Sequence, residues 1–329
     1  MPAPAFTSMI RYIARRIMNM IPLLVGVSLV SFLVVQLSPG DFLAEIRLNP
    51  VVDAATVDRM RENLGLDKPL YIQYVKWLAS ILRLDFGYSF AYQVPVWWLI
   101  NSRLLNTLLL SIVSLVIAWL IAIPIGIHAA TRQYSWSDNT LSFVSYIGIS
   151  TPTFFSGLLL LYVAFVTGWF PIGGMTSLEF DDMSTVGKVL DVARHLVIPA
   201  SVLAFLTVAG LMRQMRANLL EVLRQDYVKT ARAKGLAERV VINRHAVRNA
   251  INPLITIFGF ELGGLLGGAA ILESVVGWPG LGQLILDSVL RKDLYVVMGS
   301  LMLGTVTLVV GNLVADVLLA ASDPRIRYD

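Results

Sequence analysis

The sequence predicts an all-α fold, a polytopic membrane protein with six transmembrane helices. Three observations predict it. Of 329 residues, 56% are hydrophobic and 15% charged, with a mean hydropathy of +0.71; a soluble domain could not cover so much apolar surface. The apolar residues gather into six runs long enough for a helix to cross roughly 30 Å of hydrocarbon. The bases gather in loops, so the net charge of +4 reports topology and does not mark a nucleic-acid surface.

Residues 1–16 form a short tail carrying Arg11, Arg15 and Arg16, and residues 17–37 form the first apolar run. Bases before an apolar run also describe a signal peptide. This run is too long for one, and it leads into Ser38-Pro39-Gly40 without a small-residue cleavage pattern. It reads as a retained first span with its amino end inside.

The long segment 38–102 is expected outside. Its acids, Asp41, Glu45, Asp53, Asp58, Glu62, Asp67 and Asp85, nearly balance Arg47, Arg59, Arg61, Lys68, Lys76 and Arg83, and a balanced segment can be translocated. Residues 53–63 read as a helix that Gly65 ends, and Trp97 and Trp98 suit the membrane interface.

The core, 103–320, holds five further spans at about 104–128, 141–167, 196–212, 251–276 and 294–320. Pro152 falls within the third, where Ser150 and Thr151 can satisfy the freed carbonyls; it reads as a functional bend or as a tolerated kink. In the fifth, Gly259, Gly263 and Gly267 are spaced four apart, as are Gly264 and Gly268. Each set makes a smooth stripe for close helix approach, within the chain or against a second subunit. The acid-rich segment 168–195 suits an outside position. Six spans leave both ends inside, which agrees with Arg325 and Arg327 in the 321–329 tail.

Between the fourth and fifth spans, residues 213–250 are strongly basic: Arg213, Arg216, Arg224, Lys229, Arg232, Lys234, Arg239, Arg244 and Arg248 face only Glu221, Asp226 and Glu238. Such a loop marks the cytoplasmic side, because Lys and Arg resist translocation. Ala231, Ala233 and Gly235 end a run of helix formers, and glycine suits the left-handed turn past a helix C-terminus. The loop reads as helix, turn, helix.

Within it stand D-Y-V-K-T-A-R-A-K-G-L, from Asp226, and R-H-A-V-R-N-A-I-N-P, from Arg244. This pair resembles the cytoplasmic loop of bacterial ABC importer permeases, in the dipeptide and oligopeptide branch. L-G-L-D-K-P-L-Y-I-Q-Y from Leu64, L-D-F-G-Y-S-F from Leu84, W-P-G-L-G from Trp278 and D-P-R from Asp323 also look like that branch, and like the longer of its two permease subunits. The likeness runs from about Met9 to Tyr328. Lys229, Thr230 and Ala231 stand where the general pattern has Glu-Ala-Ala, and the step from Gly235 to Pro253 is longer than in that pattern.

The resemblance implies a six-helix permease of the ABC importer type with a long external segment after the first helix, in a bacterial inner membrane. The loop would form a short coupling helix docked on the ATP-hydrolysing subunit through Tyr227, Ala231, Ala233, Gly235 and Leu236. The implied partners are a second homologous permease, two ATP-binding subunits, an external substrate-binding protein and membrane lipid, with no nucleic acid. ATP and Mg would sit on the partner subunits, leaving this chain without a cofactor and non-catalytic. The implied substrate is a di- or oligopeptide; nickel chelates, glutathione and oligosaccharides are the alternatives within the branch.

The residues themselves agree. No G-x-x-x-x-G-K-[ST] loop occurs, since Val189 follows Gly187-Lys188 and Asp182 takes the place of the first glycine. There is no cysteine, and His128, His195 and His245 have no metal-ligand spacing. The rival class is an ion-coupled secondary transporter working alone. Such carriers use several intramembrane ionisable groups, and the spans here offer mainly Glu261 and Asp316 without an internal repeat. An ionised carboxylate facing lipid at the depth of Glu261 would cost about 2.5–3.5 kcal/mol, so Glu261 is expected to face protein, water or substrate. It reads as a buried structural carboxyl or as a pathway group for a peptide's free amino end.

Overall fold

The protein was described from a computed structural model, which covers residues 5–37, 53–63, 65, 67–89, 91–255, 257–258, 261 and 270–322. In chain order the elements are α1 (Ala5–Leu37), α2 (Ala54–Asn63), α3 (Leu70–Ile81), β1 (Tyr88–Ser89), β2 (Val94–Pro95), α4 (Val96–Thr131), α5 (Trp136–Ser150) and α6 (Thr153–Thr167). A 3-10 turn (Phe180–Asp182) leads to α7 (Thr185–Leu223), α8 (Asp226–Ala233), α9 (Glu238–Val240), a π turn (Val241–Ala246) and α10 (Val247–Ala250). Then come α11 (Ala270–Val276), α12 (Leu281–Leu290) and α13 (Leu294–Ser322). Among the described residues the fold is all-α apart from one antiparallel pair that matches Tyr88 with Pro95 and Ser89 with Val94.

Two compact units divide the chain: residues 1–106 with 280–307, and residues 107–279 with 308–329. In the first, Phe32, Trp77, Val297, Met298 and Met302 form one core, and Phe86, Val96, Ile100, Leu281, Leu284 and Val296 form another. Ser28 and Tyr74 share a hydrogen bond of 2.8 Å that ties α1 to α3. The buried Asp293 carboxylate accepts from Ser89 Oγ (2.6 Å) and the Ala91 amide (3.1 Å). It anchors the β1–β2 hairpin at the entry to α13.

In the second unit, α4, α7 and the loop after α7 share a core that includes Ala122, Ala129, Met212, Met215, Leu219, Val228 and Ala246. A second core joins Leu110, Leu203, Leu272 and Trp278. Helices approach closely at small residues, as in membrane packing generally. A Cβ on Gly126 of α4 would meet Met215 Cβ at 2.7 Å, and one on Gly157 of α6 would meet Leu272 Cδ1 at 2.7 Å. The segment after α6 is clasped to the end of α11, where the Gly174 amide donates to the Val276 carbonyl (2.9 Å). Asp191 holds the same segment from α7, accepting from the Ser177 amide (2.8 Å) and Ser177 Oγ.

Among the described residues, α4, α7 and Leu294–Val314 of α13 are each long and apolar enough to cross a membrane, and the α5–α6 pair makes a fourth if taken as one span. The first run appears as a shorter apolar stretch, Met18–Val34, inside α1. The middle of the fifth run, residues 256, 259–260 and 262–269, lies outside the described ones, and with it the glycine stripes at 259–268; so does the side chain of Asp316.

Of the bend and the tolerated kink left open for the third run, the structure has the bend. The run is not one helix with a kink: α5 and α6 meet at 103°. Thr151 is extended (φ −91°, ψ 123°), and Pro152 precedes α6 as its N-cap. A residue before proline is pushed out of the helical region, so the chain turns there. The Thr151 amide (3.0 Å) and Thr151 Oγ1 (2.7 Å) both donate to the Ile147 carbonyl and close the last turn of α5. Pro22, Pro124 and Pro199, in contrast, lie within continuous helices.

Of the segment 53–63, Ala54–Asn63 is helical as α2, and Gly65 follows it at φ 67°. The helices α3 and α12 and the hairpin were not anticipated. Their short apolar stretches lie below span length and resemble loop composition.

Candidate functional site

The charged loop forms a compact platform at the end of α7. Gln225 is extended and starts α8. The helix then ends in a paired-bond turn: the Leu236 amide donates to the Ala231 carbonyl (3.4 Å) and the Gly235 amide to the Arg232 carbonyl (2.9 Å). This pattern requires a left-handed residue just past the helix, and Gly235 sits at φ 78°. A side chain there would meet open space, so the demand for glycine comes from the backbone angle alone.

The five loop residues singled out from sequence divide by burial. Ala231 is buried with Val228 in the core. Ala233 and Gly235 are exposed, Tyr227 is 44% exposed and Leu236 42% exposed. The outward face of the platform is therefore Tyr227, Ala233, Gly235 and Leu236, while Ala231 fixes α8 against α7. Tyr227 Oη accepts from Asn249 Nδ2 (2.8 Å), which ties α8 to α10.

Charges brace the turn. Arg232 binds Glu238 through both Nε–Oε2 (3.1 Å) and Nη2–Oε1 (2.6 Å), spanning the Gly235 turn from α8 to α9. Those bonds hold the Glu238 carboxyl below its ordinary pKa and raise that of Arg232. Lys229 Nζ donates to Asp226 Oδ1 (2.9 Å) and likewise lowers the Asp226 carboxyl. Both acids thus stay charged at neutral pH, and the brace with them.

Glu261 is half-buried in a helical stretch, with residues 262–269 outside the described ones. Among the described residues, no contact joins it to the loop residues. Besides Asp293, sequence reasoning missed the buried acids Glu273 and Asp138. Glu273 in α11 is fully buried and accepts from Thr107 Oγ1 (2.8 Å). Asp138, 1% exposed, receives both Arg216 Nε (2.7 Å) and Nη2 (2.8 Å). The signal for Glu273 was present: it lies inside the fifth apolar run, where any carboxylate needs a partner. Asp138 lies in a short segment between two apolar runs, where Arg132 nearly balances its charge, and its partner is 78 residues away.

Among the described residues, several helices apolar enough to cross a membrane and a charged, braced platform at the end of α7 define an α-helical membrane protein. The comparisons place it further. The model described as "Binding-protein-dependent transport system inner membrane component" matches residues 122–328, and that of the N-terminal part of such components matches residues 9–111. The chain belongs to this family and is the permease subunit of an ABC importer, a multi-pass membrane protein.

The chain is 43% identical over 322 residues to the oligopeptide transport system permease protein AppB of Bacillus subtilis (strain 168), covering 97% of this chain and 100% of that one. It is 36% identical over 338 residues to the di/tripeptide transport system permease protein DppB of Pseudomonas aeruginosa (strain UCBPP-PA14), covering 97% and 99%. It is 38% identical over 321 residues to the glutathione transport system permease protein GsiC of Escherichia coli (strain K12), covering 97% and 100%. Among solved structures, inward-facing conformations of the MetNI methionine ABC transporter share the fold at a TM-score of 0.55 and 19% identity, over 69% of this chain and 97% of the other. Family membership sets aside the ion-coupled secondary transporter.

Proposed function

We propose that this chain forms half of the translocation pathway of a peptide importer. Its working complex would hold a second homologous permease and two ATP-binding subunits, which carry the ATP and Mg. An external binding protein would deliver the substrate. The observation that carries the peptide substrate is the 43% identity, end to end, with a permease named for oligopeptides. The 38% relative named for glutathione fits the same chemistry, since glutathione is itself a tripeptide with a free amino group and carboxylates.

In this reading the chain crosses the inner membrane six times. Both termini and residues 213–250 lie in the cytoplasm, and residues 38–102 lie outside. The platform of α8 docks on an ATP-binding subunit through Tyr227, Ala233, Gly235 and Leu236, with Ala231 supporting it from within. ATP-driven closure of the ATPase pair moves the platform and shifts the spans from inward-facing to outward-facing, a two-state element biased by a ligand.

Uptake of radiolabelled trialanine by cells carrying or lacking the gene tests the substrate class, with labelled glutathione as the parallel arm. Gene-dependent accumulation of trialanine is expected. Gene-dependent uptake of glutathione alone would narrow the substrate to that compound, and uptake of neither would overturn the peptide assignment. Co-purification of ATP-binding subunits with the tagged chain tests the docking role.

A further inference from the structure

The Arg216–Asp138 pair joins two elements that the importer reading, on which this inference rests, treats separately. Arg216 lies on α7 two turns before the platform. Asp138 lies in the first turn of α5, whose far end is the 103° break. The contact is bidentate, at 2.7 and 2.8 Å. The Arg216 side chain is 24% exposed and that of Asp138 1%. Paired planar forks of this kind fix orientation as well as distance.

The surrounding bonds fix Asp138 in turn. Its Oδ2 accepts from the Tyr134 amide (2.9 Å), and its own amide donates to Ser135 Oγ (3.2 Å), which caps α5. Tyr134 holds φ 63°, an angle uncommon for a non-glycine residue. Further along, Ser145 Oγ sits 3.3 Å from Met212 Sδ, and a Cβ on Gly148 would lie 3.1 Å from Ala209 Cβ. The start of α5 is therefore gripped by one charged fork and the rest by close packing on α7.

Polar contacts tie the platform to α7 close to that fork. Tyr227 of α8 bonds Asn249 of α10 (2.8 Å), and Asn218 Nδ2 of α7 donates to the Ala250 carbonyl of α10 (3.2 Å). Two residues before Asn218 on α7 stands Arg216. We infer that Arg216 and Asp138 are positioning residues for transport: their fork makes the start of α5 follow α7 when the platform moves, and so carries the motion into the broken α5–α6 span.

A structural role alone and a transmitting role diverge in one variant. Removing one partner leaves the other charge buried and unpaired and threatens folding, whereas removing both charges relieves that penalty. The experiment compares Asp138→Asn, Arg216→Gln and the double variant in the complex purified through a tag on this chain and reconstituted in liposomes. The readouts are ATPase stimulation by the loaded binding protein and labelled trialanine moved per ATP hydrolysed. The expected result is a double variant that assembles and hydrolyses ATP like the parent but moves at least about fivefold less trialanine per ATP, the lower range of typical coupling between sites. Arg216→Lys, which keeps the charge but loses the fork, is expected to fall between. A double variant with the parent's transport per ATP overturns the inference and leaves the pair as a folding contact. A parent complex without binding-protein stimulation overturns the importer reading first, and the inference with it.

Discussion

At Gly235 the backbone angle, and no side-chain contact, sets the requirement. A β-branched residue at φ 78° is strained by about 1–2 kcal/mol, which displaces Leu236 and the brace between Arg232 and Glu238 without emptying any core. Gly235→Val is expected to leave the chain inserted and assembled while ATP hydrolysis no longer drives uptake. Gly235→Asn is expected to retain more transport, because Asn visits the left-handed region more readily. Normal transport by the valine variant would remove the docking role from this turn. Glu261 makes a different kind of claim. If its carboxylate attracts a peptide's amino end, Glu261→Gln keeps size and hydrogen bonding but removes the charge. Uptake of free trialanine should then fall more than uptake of N-acetyl-trialanine, provided the binding protein accepts both. An equal loss on the two substrates, with normal assembly, would make Glu261 a structural group.

Among the described glycines, Gly173, in the clasp between the segment after α6 and the end of α11, makes the tightest backbone approach. Gly173 sits at φ 86°, and a Cβ there would come 2.6 Å from the Val276 carbonyl oxygen. Gly173→Ala therefore adds left-handed strain of about 1–2 kcal/mol to a collision with backbone that cannot swing aside. A lower melting temperature of the purified complex in detergent is expected, with the ATPase site untouched; an unchanged one would mean the clasp is not kept in the assembly. The α5–α6 break shows what hydropathy leaves open in the third run. Hydropathy registers both arms as one apolar stretch, while the break is decided locally by Thr151 and Pro152. Pro22, Pro124 and Pro199 show that a proline alone does not predict it; the extended residue before Pro152 does.

For the whole chain, the proposed topology is testable with single cysteines, because the native sequence has none. A cysteine at the exposed Arg83 is expected to react with an impermeant maleimide from outside the cell, and one at Lys234 only after the membrane is opened. Reaction of the Arg83 cysteine solely from the inner side would invert the model. Ser89 is a poor probe for this purpose, since it is buried against Asp293.

By itself the sequence determined the membrane class, the position of the charged loop and the glycine that ends its helix. These depend on averages over a run of residues or on one residue's backbone freedom, and both are written along the chain. The tertiary structure alone decided that Ala231 faces inward while Tyr227 and Leu236 face out. It also decided that Arg216, counted as one more loop cation, is committed to Asp138, and that Glu273 finds Thr107. Each of those outcomes depends on which helix lies beside which. Within a membrane, a buried charge is satisfied by a partner that packing brings near, and sequence spacing carries no record of that neighbour.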